Sequence, residues 1–103
     1  MIIQNGIITG FTNGAAVLAG QTSTVAGITA TNNGTGITCG IACLAQDDTV
    51  QGNIGEGLIF NDTTGGYLND ILQGNSQMTG GGPTGQVTGG TSLGHNLCNG
   101  VVC

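Results

Sequence analysis

Asparagine recurs along this chain at almost one interval: Asn13, Asn33, Asn53, Asn75 and Asn96 are separated by 20, 20, 22 and 21 residues. A period near 20 without a helical pattern is the mark of a solenoid built coil upon coil. Stacked coils hold equivalent residues about 4.8 Å apart, the strand spacing of any sheet. At that distance each side-chain amide can donate to the carbonyl of the next. The expectation is an asparagine ladder that satisfies a polar group in one turn of every coil.

The residues around the asparagines extend the pattern. Three positions upstream stand Gly10, Ala30, Val50, Leu72 and Leu93, suited to the interior; four upstream stand Thr9, Thr29, Thr49, Ile71 and Ser92, suited to the outer face. That alternation is the period of a strand. A second apolar cluster appears at Val17-Leu18, Ile37 and Leu58-Ile59, and a third at Val25, Ile41 to Leu44, Tyr67-Leu68 and Val87. Three short strands per turn, separated by Gly, Asn, Thr and Asp, predict an all-β, three-faced parallel β-helix. It has 4–5 coils of 20–22 residues in one domain, residues 1–103. With 22 glycines and only Phe11, Phe60 and Tyr67 as aromatics, an ordinary globular core would be thin. A solenoid needs only a narrow one.

Lysine and arginine are absent, and the acids are Asp47, Asp48, Glu56, Asp62 and Asp70. Without bases, nucleic-acid binding loses its main source of affinity, and anionic membrane surfaces lose theirs. No apolar run is long enough for membrane insertion as a helix. Met1-Ile2-Ile3-Gln4 lacks a secretion signal, so the expectation is a mature or excised piece, or export by another route. A chain without tryptic sites reads as selected for durability outside the cell.

The cysteines form two tight pairs, Cys39/Cys43 and Cys98/Cys103. Bridges between the pairs would span nearly three coils. Within each pair an extended strand would hold the α-carbons too far apart, so each must straddle a corner, at Gly40 and at Asn99-Gly100. Two local disulfides imply an oxidising, extracellular or cell-surface location. A shared metal centre fits the C-x3-C and C-x4-C spacings poorly.

The run Ile71-Leu72-x-Gly74-Asn75, and the segment Ser92-Leu93-Gly94-His95-Asn96-Leu97 closed by Cys103, resemble the last coils of right-handed parallel β-helix domains in bacterial secreted and surface proteins. These belong to the pectate-lyase-like superfamily, especially its polymorphic outer-membrane-protein and choice-of-anchor type repeats. The resemblance covers about a third of the chain. It implies a right-handed coil and a role like that of adhesins, autotransporter passengers and stalks. The lyases of this architecture would imply a catalytic arginine or lysine, and the chain has neither.

Asp48 and Asp70 occupy equivalent positions, five residues before Asn53 and Asn75, with Asp47 beside them. Carboxylates that close repel unless one is protonated or a cation lies between them, so calcium at Asp47, Asp48 and Asp70 is the sharpest chemical reading. A solvated acidic turn is the plain one. His95 is the only histidine and has no partner for a triad. The stretch Gly80-Gly81-Gly82-Pro83 lacks the Lys-Ser/Thr of a phosphate loop and reads as a surface excursion.

These signs converge on a non-enzymatic extracellular structural protein, without a required cofactor, that stacks end to end on copies of itself into a filament. The contacts expected are Ile2, Ile3 and Ile7 at one end and Leu93, Leu97, Val101 and Val102 at the other, since no charge lies near either terminus. The rival is an excised segment of a bacterial adhesin or passenger domain. A minor alternative is an ice- or glycan-binding solenoid; the Thr9/Thr29/Thr49 column is the feature that suggests ice.

Overall fold

The computed structural model describes residues 1–75 and 86–103. Within them the chain winds into a β-solenoid of about four turns, without a helix. The long side of the first coil is β1 (Ile2–Thr9) and its short side β2 (Ala15–Ala19); β3 (Thr24–Thr31) and β4 (Thr35–Cys39) repeat them in the second. In the third coil a bend divides the long side into β5 (Leu44–Gln46) and β6 (Thr49–Gln51), followed by β7 (Leu58–Phe60). The fourth coil repeats this as β8 (Gly66–Leu68), β9 (Ile71–Gln73) and β10 (Val87–Thr88). Last come β11 (Thr91–Ser92), β12 (Leu97–Cys98) and β13 (Val101–Val102). Every pairing between coils is parallel, whereas β13 folds back antiparallel on β12.

Three corners separate the faces, and each is made by a residue in the left-handed region. The pairing register aligns Asn5, Gly27, Asp47, Asn69 and His95 at one corner, with φ of 58, 66, 57, 55 and 59°. At the next it aligns Gly10, Asn32, Gly52, Gly74 and Gly100, with φ of 90, 56, 63, 62 and 80°. Thr22 and Ala42 turn the third, at 52 and 54°. Gly, Asn and Asp bear this conformation most readily, which explains why they fill the first two columns. A left-handed residue at one height in successive coils turns each strand without losing register.

The core is one file of side chains per face. Ile8, Ala30, Val50, Leu72 and Cys98 stack on one, and Ile3, Val25, Ala45 and Tyr67 on its neighbour. Val17, Ile37 and Leu58 face them from the short side.

Coil length is where sequence counting fails. Along the long face the shifts are 22, 20, 22 and 26 residues, from Ile7 to Thr29, Thr49, Ile71 and Leu97. The first inward residue is therefore Ile8 rather than Gly10, which is a corner, and the last is Cys98 rather than Leu93, which is 54% exposed. Thr9 pairs with Thr31, not Thr29. Val87 joins the short side beneath Leu58 instead of the third cluster. Gly80-Gly81-Gly82-Pro83 lies outside the described residues.

Candidate functional site

The solenoid's polar chemistry lies inside it, in two ladders directly after the first two corners. The first follows the corner of Asn32, Gly52 and Gly74. Asn33 donates from Nδ2 to Asn53 Oδ1 at 3.2 Å, Asn53 to Asn75 Oδ1 at 2.8 Å, and Asn75 to Gln86 Oε1 at 2.8 Å. Each receiving oxygen also accepts the backbone N–H of the rung before it, at 2.9–3.1 Å. Each Nδ2 donates again to a carbonyl of the preceding coil: Ile8 for Asn33, Ala30 for Asn53 and Val50 for Asn75. All four rungs are fully buried. A buried amide with its donors and acceptors met costs little, and the same amide orphaned costs much.

Asn13 and Asn96 stand elsewhere. In the first coil the rung position belongs to Phe11, whose N–H donates to Asn33 Oδ1 at 3.0 Å, while Asn13 is exposed in the following turn. Gln86, arriving only 11 residues after Asn75, replaces Asn96 as the last rung. Its longer side chain reaches the position from a different point on the backbone, which no count of asparagines detects.

Asn96 terminates a second ladder, after the corner of Asp47, Asn69 and His95. Ile28 N–H donates to Asp48 Oδ1, Asp48 N–H to Asp70 Oδ1, and Asp70 N–H to Asn96 Oδ1, each at 2.8 Å. Asp48 and Asp70 do stand above one another on adjacent coils, 2% and 0% exposed, yet Oδ2 of each has no partner among the described residues. Burial, opposed by the backbone hydrogen bonds, pushes each carboxyl up to about 7. The calcium expectation is overturned. Asp47 lies outside the corner, its Oδ1 accepting from Asn69 Nδ2 at 2.6 Å, while Asp48 and Asp70 lie inside. Among the described residues no group of three or more His, Cys, Asp or Glu is placed to hold a metal ion. His95 is an exposed corner residue.

Both disulfides are local, Cys39–Cys43 and Cys98–Cys103, with α-carbons 5.5 and 5.7 Å apart. The first bridges the corner containing Gly40. The second closes the β12–β13 hairpin, turned by Asn99 and Gly100, both at positive φ. Asn-Gly between apolar pairs suits a hairpin turn, whereas the sequence pattern points only to a corner there. Asn99 also accepts the Gly74 N–H on Oδ1 at 2.8 Å.

The outer face carries two columns beside the amide ladder, Ile7/Thr29/Thr49/Ile71 and Thr9/Thr31/Gln51/Gln73. Only Thr29 and Thr31 place two threonines side by side. Next to them Thr31, Asn32, Gln51, Gly52, Gln73 and Gly74 line an open groove of about 380 Å³. Of the expected end contacts, Ile2, Ile7, Leu93, Leu97, Val101 and Val102 are exposed, whereas Ile3 turns inward against the core.

Three faces, left-handed corners and buried polar ladders define a parallel β-solenoid with two local disulfides. No family model, curated protein or solved structure matches the chain.

Proposed function

We propose that this chain is a non-enzymatic structural solenoid of an oxidising, extracellular setting, and that it associates end to end with copies of itself. One observation carries the reading: among the described residues, nine of the twelve exposed large apolar side chains lie on the two end coils, with Ile41, Ile54 and Ile71 between them. Met1, Ile2, Ile7, Phe11 and Leu18 are 60–78% exposed on the first coil, and Leu93, Leu97, Val101 and Val102 are 40–78% exposed on the last. The acids all fall between, from Asp47 to Asp70. Exposed apolar surface of this extent marks a contact surface, and a heterologous contact that does not close builds a filament. At the far end β10, β11 and β13 are the terminal strands of their sheets, so their edges would face the next copy's β1 and β2. Negative-stain microscopy of the purified chain tests the proposal. Filaments support it; a monomer at high concentration sinks it and leaves the alternative of a segment from a longer bacterial surface solenoid of the pectate-lyase-like kind.

A second reading rests on the groove beside Gln51 and Gln73. Its amides and hydroxyls are uncharged and repeat at the strand spacing, which suits a neutral polysaccharide laid along the coil axis. Retention on insoluble neutral glycans, abolished by Gln51→Ala with Gln73→Ala, is the result that would favour it.

A further inference from the structure

The two ladders share one geometry, and comparing them rung by rung shows what the acidic one lacks. In the amide ladder each Nδ2 donates to the carbonyl three residues before the previous rung: Ile8 before Phe11, Ala30 before Asn33, Val50 before Asn53. Asn96 obeys the same rule in the acidic ladder, donating to the carbonyl of Tyr67, three before Asp70, at 3.0 Å. Applied to Asp70 and Asp48, the rule assigns the carbonyls of Ala45 and Val25. At those two rungs the atom in the donor's place is a carboxyl oxygen, Oδ2, and both are buried without a partner among the described residues. An ionised oxygen in that place would face the assigned carbonyl as a second acceptor. A protonated one would donate as the amide does.

We propose that Asp48 and Asp70 are carried in the folded chain as neutral carboxylic acids, each Oδ2–H taking the part of a ladder amide. The solenoid is thus a proton-loaded fold, firm in acid and loosened as the medium approaches neutrality. Burial acts in the same direction, raising both carboxyls to about 7 from an ordinary 3.8. The ionisable groups around the pair do not oppose it. Asp47 lies on the outer side of the same corner and adds like charge to both, and Asp70 does so to Asp48. His95 is two coils along the corner column from Asp47, on the solvent side. The chain has no lysine or arginine to neutralise a buried carboxylate.

The direction of the pH effect follows. Between the unfolded value near 3.8 and the folded value near 7 the native chain binds more protons than the unfolded one. Stability is then complete below the lower value and is lost as pH rises through the upper. Most acid-sensitive proteins show the reverse, because their carboxylates are paired as anions.

Thermal unfolding of the intact, oxidised chain between pH 3 and 8, beside a variant carrying Asp48→Asn and Asp70→Asn, tests this. The melting temperature of the unaltered chain should drop by more than about 10 °C from pH 4 to pH 7. The variant, whose amides donate at every pH, should lose most of that slope and melt higher at pH 7. A melting temperature that rises over this window overturns the proposal, and so does a folded variant with the same slope. If the variant does not fold, carbon-13 NMR of the unaltered chain decides. Two of its five acids titrating near 7 support the proposal, and all five titrating below about 5 defeat it.

Discussion

Asn53 is bonded on both sides: its Oδ1 accepts from the N–H and the Nδ2 of Asn33, and its Nδ2 donates to Ala30 O and Asn75 Oδ1. Truncation to alanine removes those partners in an interior that water does not reach. Asn53→Ala should therefore lower stability by about 1–3 kcal/mol in chemical denaturation. The matched control is Asn13→Ala, or Asn61→Ala, since both residues are exposed; each should change the midpoint little. Equal effects at buried and exposed sites would contradict the ladder as drawn. Close approach is equally local. A methyl group on Gly36 would overlap the Gly57 carbonyl oxygen and Val50 Cγ1, whereas nothing lies within 4 Å of one on Gly14. Gly36→Ala should cost about 1–3 kcal/mol as overpacking, and Gly14→Ala almost nothing. Melting curves of the two variants decide the matter.

At the scale of the element, the corners and the terminal hairpin control the path of the chain. At the corners of Asn32, Gly52 and Gly74 and of Asp47, Asn69 and His95, the next residue is buried and its side-chain oxygen accepts an N–H from the preceding coil, so turn and ladder form one device. The disulfides fix two of the corners, at Ala42 and at Gly100. Digestion with a non-tryptic protease should return Cys39 with Cys43, and Cys98 with Cys103, each within one short peptide. Mild thiol reduction should open Cys98–Cys103 first: Cys103 is partly exposed, while Cys39 and Cys43 are 0% and 1% exposed. Because Cys98–Cys103 closes only a short loop, the hairpin should fray while the remaining coils persist by circular dichroism. Simultaneous loss of all strand signal would show that the hairpin supports the whole solenoid.

The whole molecule measures 31 × 26 × 21 Å, and five stacked strand layers at about 4.8 Å account for roughly 24 Å of axial length. End-to-end assembly should therefore give filaments with an axial repeat near that value and strands perpendicular to the axis, which fibre diffraction would register. Ile3 is a poor site for testing the contact, since it packs inward and a charge there would damage the core. Ile2→Lys and Val101→Lys are better, because these side chains are 70% and 60% exposed. Both variants should remain folded and monomeric in sedimentation. Filaments of unchanged repeat from the double variant would exclude contact through these ends.

The fold class was legible in the residues because a solenoid repeats its local physics. Asn33, Asn53 and Asn75 recur where a rung needs both donor and acceptor, Ala30, Val50 and Leu72 recur inside, and each cysteine pair is separated by a distance only a corner can close. Asp48 and Asp70 likewise announced themselves as equivalent. What sequence could not decide was register in the first and last coils, because insertions of a few residues lengthen a turn without altering the pattern on either side. Only the paired backbone shows that Phe11 and Gln86 occupy rung positions, that Asn96 serves the other ladder, and that β13 reverses onto β12. Burial was decided there too. Asp47 and Asp48 are neighbours of one type, and a single left-handed residue puts the first side chain in water and the second inside the tube, where burial disfavours a charge.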